Sequence, residues 1–108
     1  FMFGDSGADV FDFNDVAESG TAAGTFDQIQ GFARGTDLMD LAGIAATYGA
    51  ALTFNGNSSF AGNTDEVIFQ VSGGHGHVML DLNADDIADM TIQLRFVTGW
   101  DASNMILV

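Results

Sequence analysis

The 108-residue sequence has no cysteine and no proline, and its only basic residues are Arg34 and Arg95. Without cysteine, neither disulfides nor thiolate metal sites contribute, and cysteine pairing says nothing about compartment. Without a basic patch, the chain has no electrostatic footprint for nucleic acid or for an anionic membrane surface. No stretch approaches the roughly 18 apolar residues of a membrane span, and no basic segment followed by an apolar one opens the chain. Absence of proline beside fourteen glycines assigns the turns to Gly, Asn and Asp, which accept positive φ or bond their own backbone.

What is present is acid and apolar bulk. Fifteen Asp and Glu give a formal net charge of −13, while 47 % of residues are hydrophobic, ten of them Phe. That much apolar surface forms a core, and the length suits one domain spanning 1–108. Self-repulsion of this size destabilises a compact state unless cations are bound, and divalent ions are the obvious candidates.

Alternation of apolar and polar residues predicts strands. In 89–97, Met90, Ile92, Leu94 and Phe96 share one face and Asp89, Thr91, Gln93 and Arg95 the other. Val78, Leu80 and Leu82 form a similar face, as do Val67, Phe69 and Val71. The short links SGGHG and NADDIA make 66–97 an antiparallel meander. Leu38, Leu41, Ala45, Tyr48 and Leu52 recur at helical spacing and predict one short helix.

Three groups of residues carry chemistry. Gly4-Asp5-Ser6-Gly7-Ala8-Asp9-Val10-Phe11-Asp12 falls on the nonapeptide G-G-x-G-x-D-x-U-x, with Asp5 at the second glycine. In that repeat the glycines let carbonyls and the Asp carboxylate converge on calcium, so Gly4, Asp5, Gly7 and Asp9 are candidate ligands; a Gly-rich turn entering a strand is the alternative. Asp81, Asn83, Asp85 and Asp89 fall at positions 1, 3, 5 and 9 of a loop with EF-hand-like spacing. Position 6 is Asp86 instead of Gly, and position 12 is Ile92 instead of Glu. Turns closed by Asp and Asn side chains explain the same residues without an ion. His75 and His77 lie two apart among Gly73, Gly74 and Gly76, which places them in a solvated hairpin in preference to a metal site. No nucleophile and base stand out, so no catalysis is expected within this chain.

The order GADVFDF, FDQIQGF, GTDLMDL, FNGNSSFAGNTDEVIF, LDLNADDIADMTIQL, ASNMILV resembles the C-terminal domain of serralysin-type secreted metalloproteases and related RTX proteins. The resemblance implies an all-β fold: the end of a calcium-binding parallel β-roll capped by an antiparallel β-sandwich, with 1–13 as the last roll repeat. It implies Ca2+ as ligand, with Asp27 as a further calcium residue. The family's D-x-I-x-D-F here reads Asp27 to Phe32 with Gly31 in place of the second carboxylate. It also implies a non-catalytic module of a secreted, extracellular or cell-surface protein, any protease domain lying upstream. Its partners would be upstream β-roll repeats, which Phe1-Met2-Phe3 reads as continuing, and a type I secretion apparatus. That apparatus would read an export signal at Asn104, Met105, Ile106, Leu107 and Val108; the same segment is also a candidate final strand. A competing expectation is a calcium-bridged adhesion or S-layer-like lattice module.

Overall fold

The computed structural model describes residues 2–4, 7–14, 27–48, 51–56 and 59–107. Nine strands and one helix follow in order: β1 (Met2–Phe3), β2 (Val10–Asp12), β3 (Asp27–Gln30), β4 (Leu38–Asp40), α1 (Ala42–Tyr48), β5 (Thr53–Phe54), β6 (Glu66–Ser72), β7 (His75–Asp81), β8 (Met90–Leu94) and β9 (Met105–Ile106). They form a six-stranded sheet, β1-β3-β8-β7-β6-β5, and a three-stranded sheet, β2-β4-β9. The chain is mostly β, as its alternating patterns predict.

Successive strands β1 to β4 alternate between the two sheets: β1 pairs parallel with β3 and β2 with β4, while β3 and β4 pair parallel in turn with β8 and β9. Met2 is in register with Ile29, and Val10 with Leu38. The intervening turns therefore stack. Gly4 N–H donates to Gln30 O at 2.7 Å. A Cβ at Gly4 would lie 2.6 Å from Gly31 O, and one at Gly31 the same distance from Gly4 O. Only glycine lets these two backbones come so close, and at Gly31 φ is +80° as well.

Antiparallel pairing, expected for the whole cap, is confined to the meander β6-β7-β8. The β6–β7 hairpin turns on Gly73 and Gly74 alone, with φ of +61° and +77°, the geometry that matches strand twist. His75 and His77 thus stand within β7, both half-buried, and not in the turn. β8 stops at Leu94. Phe96, expected beside Met90, Ile92 and Leu94, has φ +63° and is 71 % exposed, because the left-handed residue turns its side chain off the buried face. Val71, expected with Val67 and Phe69, is exposed at the hairpin end, beyond the cover of the core.

The core lies between the sheets. Phe11 of β2, Phe32, Trp100 and Phe69 of β6 form one run of ring contacts, with Phe32 and Trp100 4.9 Å apart and Trp100 stacked on Phe69 at 5.7 Å. Phe13, Ile29, Met39, Leu41, Leu80 and Ile92 are fully enclosed around it. At seven residues α1 is too short to be stable alone; burial of Ile44 and Ala45 holds it, and Asp40 Oδ1 accepts the Ala42 N–H at 2.9 Å. Leu38 and Leu52, which share the helical spacing, lie outside it.

The C-terminal segment is docked. Met39 pairs with Met105 and Asp40 with Ile106, and Leu41 N–H donates to Ile106 O. A single helical turn, Ala102–Asn104, leads into β9. Its start is capped by Asp101, whose carboxylate accepts the Ser103 N–H at 2.9 Å, while the buried Asn104 Oδ1 accepts the Asp101 N–H. Arg34, from the turn before β4, pairs with Asp101 at 3.3 Å and reaches Asn104 Oδ1 at 3.4 Å. The hydrogen bonds from Ser103, and then Arg34, hold the Asp101 carboxyl below its ordinary range.

Candidate cation-binding site

The connection from β7 to β8 carries the densest acid chemistry. Asp81 ends β7 fully enclosed, and Asp89 immediately precedes β8, so the two strands fix both ends of the loop. Among the described residues, Asp81, Asp85 and Asp89 are the group of acids whose carboxylate oxygens converge, all within 4.8 Å of one another.

Backbone donors hold the carboxylates in place. Asp81 Oδ1 accepts the Asn83 N–H at 3.2 Å and Oδ2 the Asp86 N–H at 2.8 Å; Asp89 Oδ2 accepts the Leu82 N–H at 2.8 Å. Asp85 Oδ1 accepts the Ile87 N–H at 3.0 Å. The Asn83 side-chain amide lies 2.8 Å from Asp85 Oδ1 and 2.9 Å from Asp81 Oδ1. With nitrogen inward it donates to both; with oxygen inward it adds a fourth oxygen to the cluster. Such an all-oxygen set, three carboxylates and an amide, fits a hard cation such as calcium and lacks the nitrogen or sulfur ligands of a zinc site.

The loop's conformation calls for glycine where the sequence has none. Ala84 has φ +63° and Asp86 φ +61°. These are the two positions at which the resembled family's D-x-N-G-D-G-x-A-D, which Asp81 to Asp89 otherwise keep, carries glycine. The chain keeps the turn and accepts the strain.

A second, smaller arrangement surrounds Asp9, just before β2. Asp37, 1 % exposed, accepts the Asp9 N–H at 2.9 Å through Oδ1 and the Ala33 N–H at 2.8 Å through Oδ2. Leu38 N–H donates to Asp9 O, which ties the two stacked turns together. Asp9 Oδ2 is buried and has no hydrogen-bond partner. A carboxylate oxygen without a donor is costly unless a cation meets it, so this turn also fits an ion. Gly7, at φ +95°, makes the bend that turns the chain toward Asp9. Asp5 lies outside the described residues.

Asp27 joins neither arrangement. It opens β3 in register with Ile92, and its Oδ1 accepts the N–H of Gln28. The histidines do not form a chelate either: His75 Nδ1 accepts the Phe96 N–H at 3.0 Å, which occupies its ring lone pair. Gln93 Nε2 approaches His77 Nε2 at 3.4 Å. Burial, and then the charge of His75, lower the His77 pKa below its ordinary value.

Two further acids are buried where no local motif marks them. Besides Asp37 there is Glu66, 2 % exposed and directly opposite Asp81 across β6 and β7. Its carboxylate receives Asn55 Nδ2 and the Ala61 N–H, so it closes the loop between β5 and β6. Asp37 sits 28 residues after Asp9, one winding on, and that offset was the available signal.

With β1 to β4 winding between two sheets and an oxygen-lined loop on the meander, the chain has the form of a two-sheet β module. Residues 2–107 match the family described as Peptidase M10 serralysin C terminal, and the chain belongs to it. That family is the non-catalytic C-terminal part of serralysins, found in secreted RTX proteins and calcium-binding in general. No curated protein matches the chain. No helix among the described residues is long and apolar enough to cross a membrane.

Proposed function

We propose that this chain is a calcium-dependent folding cap and export module of a secreted protein. The observation that carries the reading is the convergence of Asp81, Asp85 and Asp89, with Asn83 beside them, on the loop that joins β7 to β8. Calcium there would supply the positive charge missing from a chain of net charge −13. Asp81 and Asp89 would tether the ends of β7 and β8 to it, and Asp85 the middle of the loop. The strand alternation supports an end-of-roll geometry running through β4, beyond residue 13, with Gly4, Gly7 and Asp9 facing a calcium position in the stacked turns. Open edges at β1 and β2 suit preceding roll turns of the same polypeptide.

Charge makes this a location-dependent fold. Where calcium is scarce the carboxylates repel and the chain stays loose enough to thread a type I channel; outside, calcium neutralises them and the apolar faces close. Asn104 to Leu107 are docked in the folded chain, and Val108 lies outside the described residues. In the unfolded chain the same segment is free to act as the export signal. Calorimetric titration with calcium tests the site. Asp85→Ala should abolish the binding isotherm of the β7–β8 loop while leaving the far-UV spectrum in high calcium β-rich. An isotherm unchanged by Asp85→Ala would remove the loop from the account.

A further inference from the structure

The face of the meander turned away from the core carries two features that the calcium reading leaves unused. At the hairpin end stands a knob. Phe96 is held in a left-handed backbone conformation, φ +63°, by its own N–H on His75 Nδ1, and its ring is 71 % exposed. The imidazole of His75 lies 4.8 Å from that ring, and the Arg95 guanidinium 5.5 Å from its centroid. A bulky residue at positive φ is strained, and strain of this kind persists where surrounding contacts impose it, often at functional sites. Here the contacts hold an aromatic ring out into water.

Four residues along β7, about 13 Å at strand spacing, lies a groove of about 410 Å³. Phe60, Ile68 and Met79 line it together with the polar Ser59, Gln70 and Asp86 and with Ala88. The Asp86 side chain is outside the convergent acid group and exposed, and Arg95 meets the Phe96 ring, not a carboxylate, among the described residues. Between knob and groove the face presents Gln70, His77 and Gln93 and no acid, in a chain with fifteen. Depletion of charge, with Phe, Met and Arg at the ends, is the composition of a protein interface.

We propose that this face binds a second copy of the chain: Phe96 of each copy enters the apolar groove of the other, and Arg95 meets Asp86 across the contact. Knob and groove sit at opposite ends of one face, so a two-fold axis between them makes both contacts at once and closes the assembly as a dimer. Charge decides the partner. A cation beside an apolar group complements the groove's one acid, and Arg95, without a carboxylate partner among the described residues and next to Phe96, supplies both. The net charge of each copy opposes association at long range. At ~0.15 M salt the Debye length is about 8 Å, so this repulsion is largely screened while the contact pairs remain. A face this small falls at the low end of interface sizes and makes a weak, transient dimer.

Sedimentation velocity of the whole chain, from ~10 μM to ~1 mM at the salt just stated, tests this in millimolar calcium, where the chain is folded. Wild type should shift from monomer to dimer. Phe96→Ser should weaken association at least tenfold, as loss of an aromatic that fills a pocket on the partner does. Arg95→Asp and Asp86→Lys should each abolish it, and the two together should restore it; restoration also shows that the single variants failed through charge and not through misfolding. A wild-type chain that stays monomeric throughout overturns the proposal. So does a Phe96→Ser chain that associates like wild type, or a double variant that remains monomeric. Assembly into species larger than dimers would contradict the closed two-fold and favour an open lattice.

Discussion

Replacing Ala84 with glycine should stabilise this protein, although glycine ordinarily weakens a fold. Ala84 sits at φ +63° in the β7–β8 loop. A left-handed conformation costs an L-residue with a Cβ about 1–2 kcal/mol. Glycine avoids that cost but loses more freedom on folding, by roughly 0.5–1 kcal/mol relative to alanine. The difference favours Ala84→Gly by about 0.5–1 kcal/mol, and alanine has only a methyl group to lose. For a domain near 100 residues this raises Tm by about 2–6 °C. Differential scanning calorimetry reads it directly, with calcium held at one saturating concentration so that the chain is folded and ion binding contributes equally. Ala46→Gly is the control. Ala46 is exposed within α1, where glycine costs roughly 1 kcal/mol, so its Tm should fall. The reasoning fails if Ala84→Gly lowers Tm as Ala46→Gly does, because the loop would then not hold the positive φ.

Other perturbations have equally definite signs. Gly76→Ala places a Cβ 2.3 Å from the Phe69 ring and 2.4 Å from Val97 O. It should destabilise by about 1–3 kcal/mol, read by urea unfolding. Because burial lowers the His77 pKa, the unfolded chain binds the proton more readily. His77 therefore contributes stability that is full above the ordinary imidazole pKa of about 6.5 and declines as pH falls below it. His77→Gln should flatten that part of a stability–pH curve, and an unchanged curve would assign the acid sensitivity elsewhere. Asn104→Ala removes the acceptor shared by Asp101 N–H and Arg34. It should cost about 0.5–2 kcal/mol in thermal melts, while Asn104→Asp, which keeps an acceptor beside Arg34, should cost less. Deleting 105–108 from an intact exported protein should abolish its secretion by the matching type I apparatus; normal secretion would place the signal elsewhere, with 66–97 the next candidate.

Local patterns in the sequence were enough for the meander and not for the way it ends. Met90, Ile92 and Leu94 alternate and are buried as alternation requires, but Phe96 continues the pattern in sequence only. Its positive φ is set by the bond between its N–H and His75, 21 residues away, which periodicity does not carry. The histidines were misplaced for a related reason. Five residues of SGGHG look like a loop, yet two glycines at positive φ suffice for the turn, and Gly76 continues the strand against Phe69. At the candidate site, oxygen spacing brought out Asp81, Asn83, Asp85 and Asp89, because a ligand loop is local in sequence. Asp37 and Glu66 act through contacts between windings and across strands, to the backbone at Asp9 and opposite Asp81. Single-sequence spacing does not register such partners. The glycine substitutions at 84 and 86 read as losses of a motif, whereas the backbone keeps the conformation that the motif's glycines serve.

Calcium-coupled folding is the central claim, and thermal unfolding in millimolar calcium against chelator, at matched ionic strength, tests it most directly. Calcium should raise Tm well beyond the rise produced by sodium chloride, because an ion that binds the folded chain stabilises it by RT ln(1 + [L]/Kd). Asp85→Ala should remove most of that difference, and Asp9→Ala a smaller part. Identical melting in calcium, chelator and matched sodium chloride would contradict the account, leaving the convergent oxygens of Asp81, Asp85 and Asp89 as a hydrogen-bonded turn alone.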